Sequence, residues 1–179
     1  MNYIDILGKF FPDVEAWCIG DPTNIADIQL QEGSPPLPTQ AQFDAAHLKI
    51  RQDAKWADIS NERDRRYYQG VYITGVDGEL YWFWTDVETR ARYSIYDIAI
   101  RAAGLTDDNV LDNWKTMTGA FTPMTVRQLY RVITAAMANE KVIFNLGETK
   151  KAEMLALADP DTYDHLSGWP LCYSDTLNA

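Results

Sequence analysis

Cysteine and histidine are scarce in this chain, with two of each in 179 residues. Cys18 and Cys172 lie far apart and make no disulfide framework. They read as two buried thiols in a reducing cytoplasm. His47 and His165 have no acid or nucleophile pattern around them. No metal-ligand spacing, phosphate-binding glycine loop, nucleophile elbow or zinc cysteine cluster occurs. We therefore expect no metal, no cofactor and no enzyme activity, since a catalytic site needs convergent groups. No apolar run approaches the length of a membrane span. The start, MNYIDILGKFFPDVEAW, lacks a basic segment and a small-residue cleavage site, so no signal peptide is expected. There is no repeat of fixed period and no low-complexity tract.

Base is scarce at both ends. Residues 1–38 carry six acids and one base, and residues 159–179 carry four acids and none. The stretch between is nearly neutral, so the net charge of −10 sits in two terminal arms. That distribution argues against nucleic acid and anionic membranes as partners. It suits docking to a basic or polar protein surface.

Aromatics are abundant: six Trp, ten Tyr and six Phe. Four stand together at Tyr81-Trp82-Phe83-Trp84. "VYITGVDGELYWFW" reads as a hairpin with Asp77-Gly78 as a two-residue type I′ turn. That register sets Ile73 opposite Trp82 and Val71 opposite Trp84. Val71, Ile73, Leu80, Trp82 and Trp84 then share a core face. Tyr72, Thr74, Tyr81 and Phe83 share the other, which either a helix of the same chain or a partner covers.

Helical signals surround the hairpin. A short helix at Asn2 to Phe11 stops at Pro12, and "VEAWCI" and "DIQLQEG" read as short strands. "EGSPPLPT" is a stiff connector. Thr39 with Gln42 opens a helix whose seam is Phe43, His47, Ile50, Ala54 and Ala57. That spacing allows packing against copies of itself, a homotrimer among them. His47 reads as a packing residue on that seam. Arg63, Arg65 and Arg66 close the helix, where positive charge is favourable. Thr85 with Glu88 opens a second helix with the stripe Val87, Ala91, Ile95, Ile98 and Ala102, ended by Gly104. "NWKTMTG" reads as one more strand and "AFTPM" as its turn. Thr125 with Gln128 opens a long helix through Gly147 toward Pro160. Its main stripe is Val126, Leu129, Ile133, Met137 and Phe144, widened by Tyr130, Val132 and Ile143. Trp169-Pro170 looks like an anchor for an extended arm, on this domain or on a partner.

The expected fold is thus α+β. It is a mostly helical domain with a small antiparallel sheet, made of the aromatic hairpin plus one strand, preceded by a small α/β module. The expected parts are a module at 1–34, a connector at 35–38, the main domain at 39–160 and an arm at 161–179. The expected core includes Ile73, Trp82, Trp84, Trp114, Leu129 and Ile133. The expected partner contacts are Tyr72, Tyr81, Phe83 and Trp169. Carboxylates for a catalytic alternative would be Asp77, Glu79 and Asp86. Their ordinary roles are turn, strand-end and helix-start chemistry.

Four segments together carry a resemblance: "NERDRRYYQGVYI", "YWFWTDVETRARYSIYDIAIRA", "NWKTMTGAFTPMTVRQLYRVITAA" and "KKAEMLALADPDTYD". Over about residues 55–165 the chain resembles the domain of unknown function found in tailed-phage tail-fibre and tail-fibre assembly proteins. The resemblance implies an assembly chaperone or fibre-associated protein that binds a trimeric fibre in the host cytoplasm, with or without retention in the virion tail. It attaches no catalytic or ligand residue. A permanent tail or baseplate component is the variant of this reading. A carbohydrate-binding or hydrolytic tail module is the alternative from another class.

Overall fold

The computed structural model describes residues 1–177; residues 178 and 179, the end of the expected arm, lie outside the described residues. The fold is α+β, mostly helical, with three separate two-stranded antiparallel sheets. The chain divides into two compact units, residues 1–57 with 153–163 and residues 58–152 with 164–179.

In the first unit, α1 (Tyr3–Phe10) starts at Asn2, whose side chain accepts from the Ile4 and Asp5 amides. β1 (Ala16–Cys18) pairs with β2 (Ile28–Leu30). The Thr39 and Gln42 capping box forms, each side chain accepting the other residue's amide, and opens α2 (Gln40–Tyr67). Phe43 is fully buried, with Tyr3 packed edge-on against it at 4.7 Å. Leu37 packs against this core, so the Pro-rich stretch belongs to the unit and does not merely connect it. Of the expected seam, His47 and Ile50 are half-buried and Ala54 and Ala57 are exposed. Arg51 holds Asp159 and Asp161 in a two-way ion pair. Cys18 is only half-buried, which corrects the expectation of two buried thiols.

The second unit contains the aromatic hairpin, β3 (Val71–Thr74) and β4 (Leu80–Phe83). Its register differs from the expected one by one residue: Val71 faces Phe83, Tyr72 faces Trp82 and Ile73 faces Tyr81. The loop is three residues, 76–78, inside a Gly75 to Glu79 closing bond of 2.7 Å. A type I′ turn would need Asp77 at positive φ. Among the described residues only glycines adopt one, and here Gly78 does so alone, at +90°. Asp77 instead accepts from the Glu79 amide and the Tyr81 hydroxyl. A slip of one residue exchanges the faces. Val71, Ile73, Tyr81 and Phe83 therefore turn to the core, with Phe83 fully buried. Trp84, expected in the core, is 38% exposed.

α3 (Val87–Ala103) is capped by Asp86, which accepts from the Thr89 amide at 2.9 Å, and not by Thr85. Thr85 is buried and bridges the Gly70 amide to the Tyr67 carbonyl. β5 (Val110–Lys115) pairs with β6 (Phe121–Thr125), so "AFTPM" is mostly strand and the turn is 116–119. Pro123 fits because a two-stranded sheet has only edge strands. α4 (Val126–Leu155) runs unbroken through Gly147. A Cβ there would lie 3.1 Å from the Arg63 side chain, so glycine permits this close approach. Tyr93 stacks on Trp114 at 5.3 Å, and Leu129 and Val132 fill the same core. Ile73 and Ile133 are partly buried against it.

Candidate protein-interaction site

Three surfaces of the second unit bear on binding. The first is the outward side of the hairpin. Tyr72 is half exposed and stacks on Trp82 at 5.1 Å. Trp82 is buried all the same, because Tyr173 packs edge-on against it. The expected contact face therefore dissolves. Tyr72 stays on the surface, Tyr81 is half-buried against the core, and Phe83 is in the core.

The second surface is the outward side of α3. Its expected stripe is not buried: Val87, Ile95 and Ile98 are each about two-thirds exposed (68%, 65% and 67%). Tyr93, Tyr96 and Ile100 face inward instead. The tyrosine rings reach Trp114, and their hydroxyls donate to the Trp84 carbonyl and Asp112. A large ring with a satisfied polar tip buries more area than a branched aliphatic chain. Burial pushes the Tyr93 hydroxyl well above its ordinary value, so it stays a donor. Beside this stripe a groove of about 620 Å³ is lined by Ile98, Ile133, Ala136 and Met137. Its rim is paired: Arg101 with Asp97, Tyr130 with Asp97, and Arg90 with Glu140. The Tyr130 hydroxyl, then the Arg101 guanidinium, hold the Asp97 carboxyl below its ordinary value. An apolar floor with a satisfied polar rim is the anatomy of a protein interface.

The third surface is a clasp at the end of α2. Glu62 and Arg66 are buried, and Glu62 accepts from Arg65 at 2.7 Å and from Arg66 at 2.6 Å. Both arginines reach on to the C-terminal arm. Arg66 donates to the Pro170 carbonyl and Asp175, and Arg65 to Ser174. These arginines are thus not a solvated helix end. The Arg65 guanidinium holds the Glu62 carboxyl below its ordinary value against the opposing effect of burial, and Arg66 adds to it. Burial raises the Asp175 carboxyl, but the Cys172 amide and thiol and Arg66 outweigh it and keep it low. Trp169 anchors the arm to its own unit, under the Lys150 ammonium at 5.3 Å, with its ring N–H on the His165 carbonyl.

A family model described as a domain of unknown function, DUF4376, matches residues 50–166. The chain belongs to this family. No curated protein and no solved structure matches it. The DUF4376 segment contains the α3 groove and the receiving side of the clasp, while the residues held by the clasp, 170–175, lie beyond it.

Two of the acids considered for catalysis serve the fold. Asp77 closes the hairpin loop and Asp86 caps α3. Among the described residues no group of three His, Cys, Asp or Glu side chains could hold a metal ion. No described helix is long and apolar enough to cross a membrane. Neither the α3 surface nor the clasp was expected from the sequence. The apolar period of α3 was visible, but not which side it faced.

Proposed function

We propose that this DUF4376 protein is a bacteriophage tail-fibre assembly chaperone or fibre-associated tail protein. It acts by binding protein and not by catalysis. The resemblance of residues 55–165 to tail-fibre and tail-fibre assembly proteins supplies the partner, a trimeric fibre chain. One observation carries the mode of action: the α3 stripe of Val87, Ile95 and Ile98, with Met137 at 66% exposure across the groove, is left open to solvent. Large apolar side chains left exposed along one helix face, with Ile98 and Met137 lining the same groove, mark an interaction site. Covering apolar strand surface on immature fibre chains would limit their edge-to-edge association. Tyr72 adds an amphipathic ring to the contact surface. The binding step takes place in the host cytoplasm, and the protein either leaves the finished fibre or stays as a tail component.

Co-expression with the fibre protein tests this. Light scattering should give a complex with three copies of each chain. Two species eluting separately would contradict the reading.

A carbohydrate-binding module is the second reading, and one place favours it. Between α3 and the β5–β6 hairpin, Trp84 and Phe121 (60% exposed) flank Asp112, Asn113 and Lys115. Exposed rings beside polar side chains suit sugar stacking. Glycan-array binding lost in Trp84→Ala, with the fold intact, would select this reading over the first.

A further inference from the structure

The clasp has the composition of a peptide-binding site whose ligand is already in place. On the receiving side, Glu62 balances only one of the two arginines it touches. Arg66 spends its remaining N–H groups on the Pro170 carbonyl at 2.6 Å and on Asp175 at 2.9 Å. Arg65 adds Ser174 and approaches Asp175 at 3.7 Å. The Gln69 carbonyl accepts the Tyr173 amide, the Met117 carbonyl accepts the Tyr173 hydroxyl, and Trp82 receives its ring. Lys150 donates to the Ser167 carbonyl at 2.6 Å.

The arm gives little apolar area in return. Leu166, Leu171 and Leu177 are 59%, 63% and 65% exposed. Besides the Trp169 ring, what holds it is one carboxylate, one tyrosine, and backbone and hydroxyl groups, read by a fixed set of donors and acceptors. This is recognition of a short acidic, aromatic segment by an arginine pair and an aromatic wall, with Cys172 as the one deeply buried side chain among the described residues of the arm. All the receiving groups lie in the DUF4376 segment, and all the recognised ones lie after it.

We propose that this clasp is a binding site for a short acidic, aromatic peptide, filled in cis by residues 167–175 and able to take the same segment from a second copy of the chain. An emptied site leaves Arg65 and Arg66 sharing the single charge of Glu62 and takes from the buried Arg66 its acceptors at Pro170 and Asp175, which is costly, so an arm that leaves must be replaced by an equivalent one. A second copy carries that equivalent, with the same carboxylate, tyrosine and proline carbonyl. Tethering favours the cis form, through an effective concentration in the millimolar range. Exchange between copies therefore needs high local concentration, as at an assembling multi-chain structure. The proposal does not rest on the fibre reading.

The test uses the full chain carrying Tyr173→Ala and Asp175→Asn, which weaken the cis arm and leave every receiving residue intact. A fluorescent peptide of residues 164–177 is titrated onto it. We expect saturable binding, at least ten-fold weaker on the wild-type chain and on the variant that also carries Arg66→Gln. Binding indifferent to Arg66→Gln, or none up to millimolar peptide, overturns the proposal. Should the double variant lose its near-ultraviolet dichroism, the unsubstituted sequence serves, with a protease site inserted between residues 165 and 166 and cut after folding. Two isotopically distinct preparations are then mixed and followed by native mass spectrometry. Exchange of the released arm between copies within hours is expected. An arm that stays with its own copy for days, or that leaves on cutting and is not rebound, overturns the proposal.

Discussion

α3 and residues 126–152 of α4 belong to the same unit and both carry apolar residues at helical spacing, yet they use them in opposite ways. α4 buries Leu129, Val132, Ala136 and Ile143, a seam with steps of three, four and seven residues. Each residue turns a helix by about 100°, so those steps stay on one side. The expected stripe of Leu129, Ile133 and Met137 drifts off it, and Met137 ends in solvent. α3 gives its inward side to Tyr93, Tyr96 and Ile100 and turns Val87, Ile95 and Ile98 outward. An apolar period therefore locates a helix without saying what covers it. Where aromatic rings compete for the core, the aliphatic stripe is free for a partner.

Paired substitutions on the two sides can break this comparison. The largest effect is expected at Phe83, which shares the α4 core. Phe83→Ala should cost about 3–5 kcal/mol in urea unfolding, whereas Trp84→Ala should cost far less despite the larger ring. A next-door residue with an equal cost would show that the observed register is wrong. Leu129→Ala should cost about 2–5 kcal/mol. Ile98→Ala should stay within about 0.5 kcal/mol, as surface changes do. A large loss at Ile98 would mean that the α3 stripe is covered within the folded chain.

Gly78→Ala should cost roughly 1–2 kcal/mol, from positive φ alone, since nothing lies within 4 Å of the added carbon. The smallest expected effect is with pH. Glu62 and Asp175 both have lowered values in the folded chain. Their stabilising contribution is full above the ordinary carboxylate value of about 4 and is lost as pH falls through the lower folded values. The clasp should therefore loosen below about pH 4, seen as a change in Trp82 fluorescence as Tyr173 withdraws. A clasp that loosened on raising pH from 5 to 8 would contradict this sign.

Much of the fold was legible in the sequence. The Thr39 and Gln42 capping box, the aromatic hairpin strands and the unbroken α4 all follow from local chemistry. The hairpin register was not, because Asp77-Gly78 serves a three-residue loop as readily as a two-residue one. β6 was hidden by Pro123, which an edge strand tolerates. The candidate site was less legible. Tyr72 lies on the surface as expected, and Phe83 was placed on the wrong face by the register. The clasp left no periodic signal, since it is built from charges and backbone groups that meet only in three dimensions. "NERDRR" and Trp169-Pro170 were its visible traces.

The central claim is that the outward side of α3 is the surface a fibre chain covers. The most direct measurement is the mass, by light scattering, of the complex formed on co-expression with the fibre protein, for the wild-type chain and for Ile95→Asp with Ile98→Asp. The account predicts a three-to-three complex for the wild type. The variant should stay folded, with unchanged dichroism, and elute without the fibre chain. A variant that still forms the full complex would contradict it.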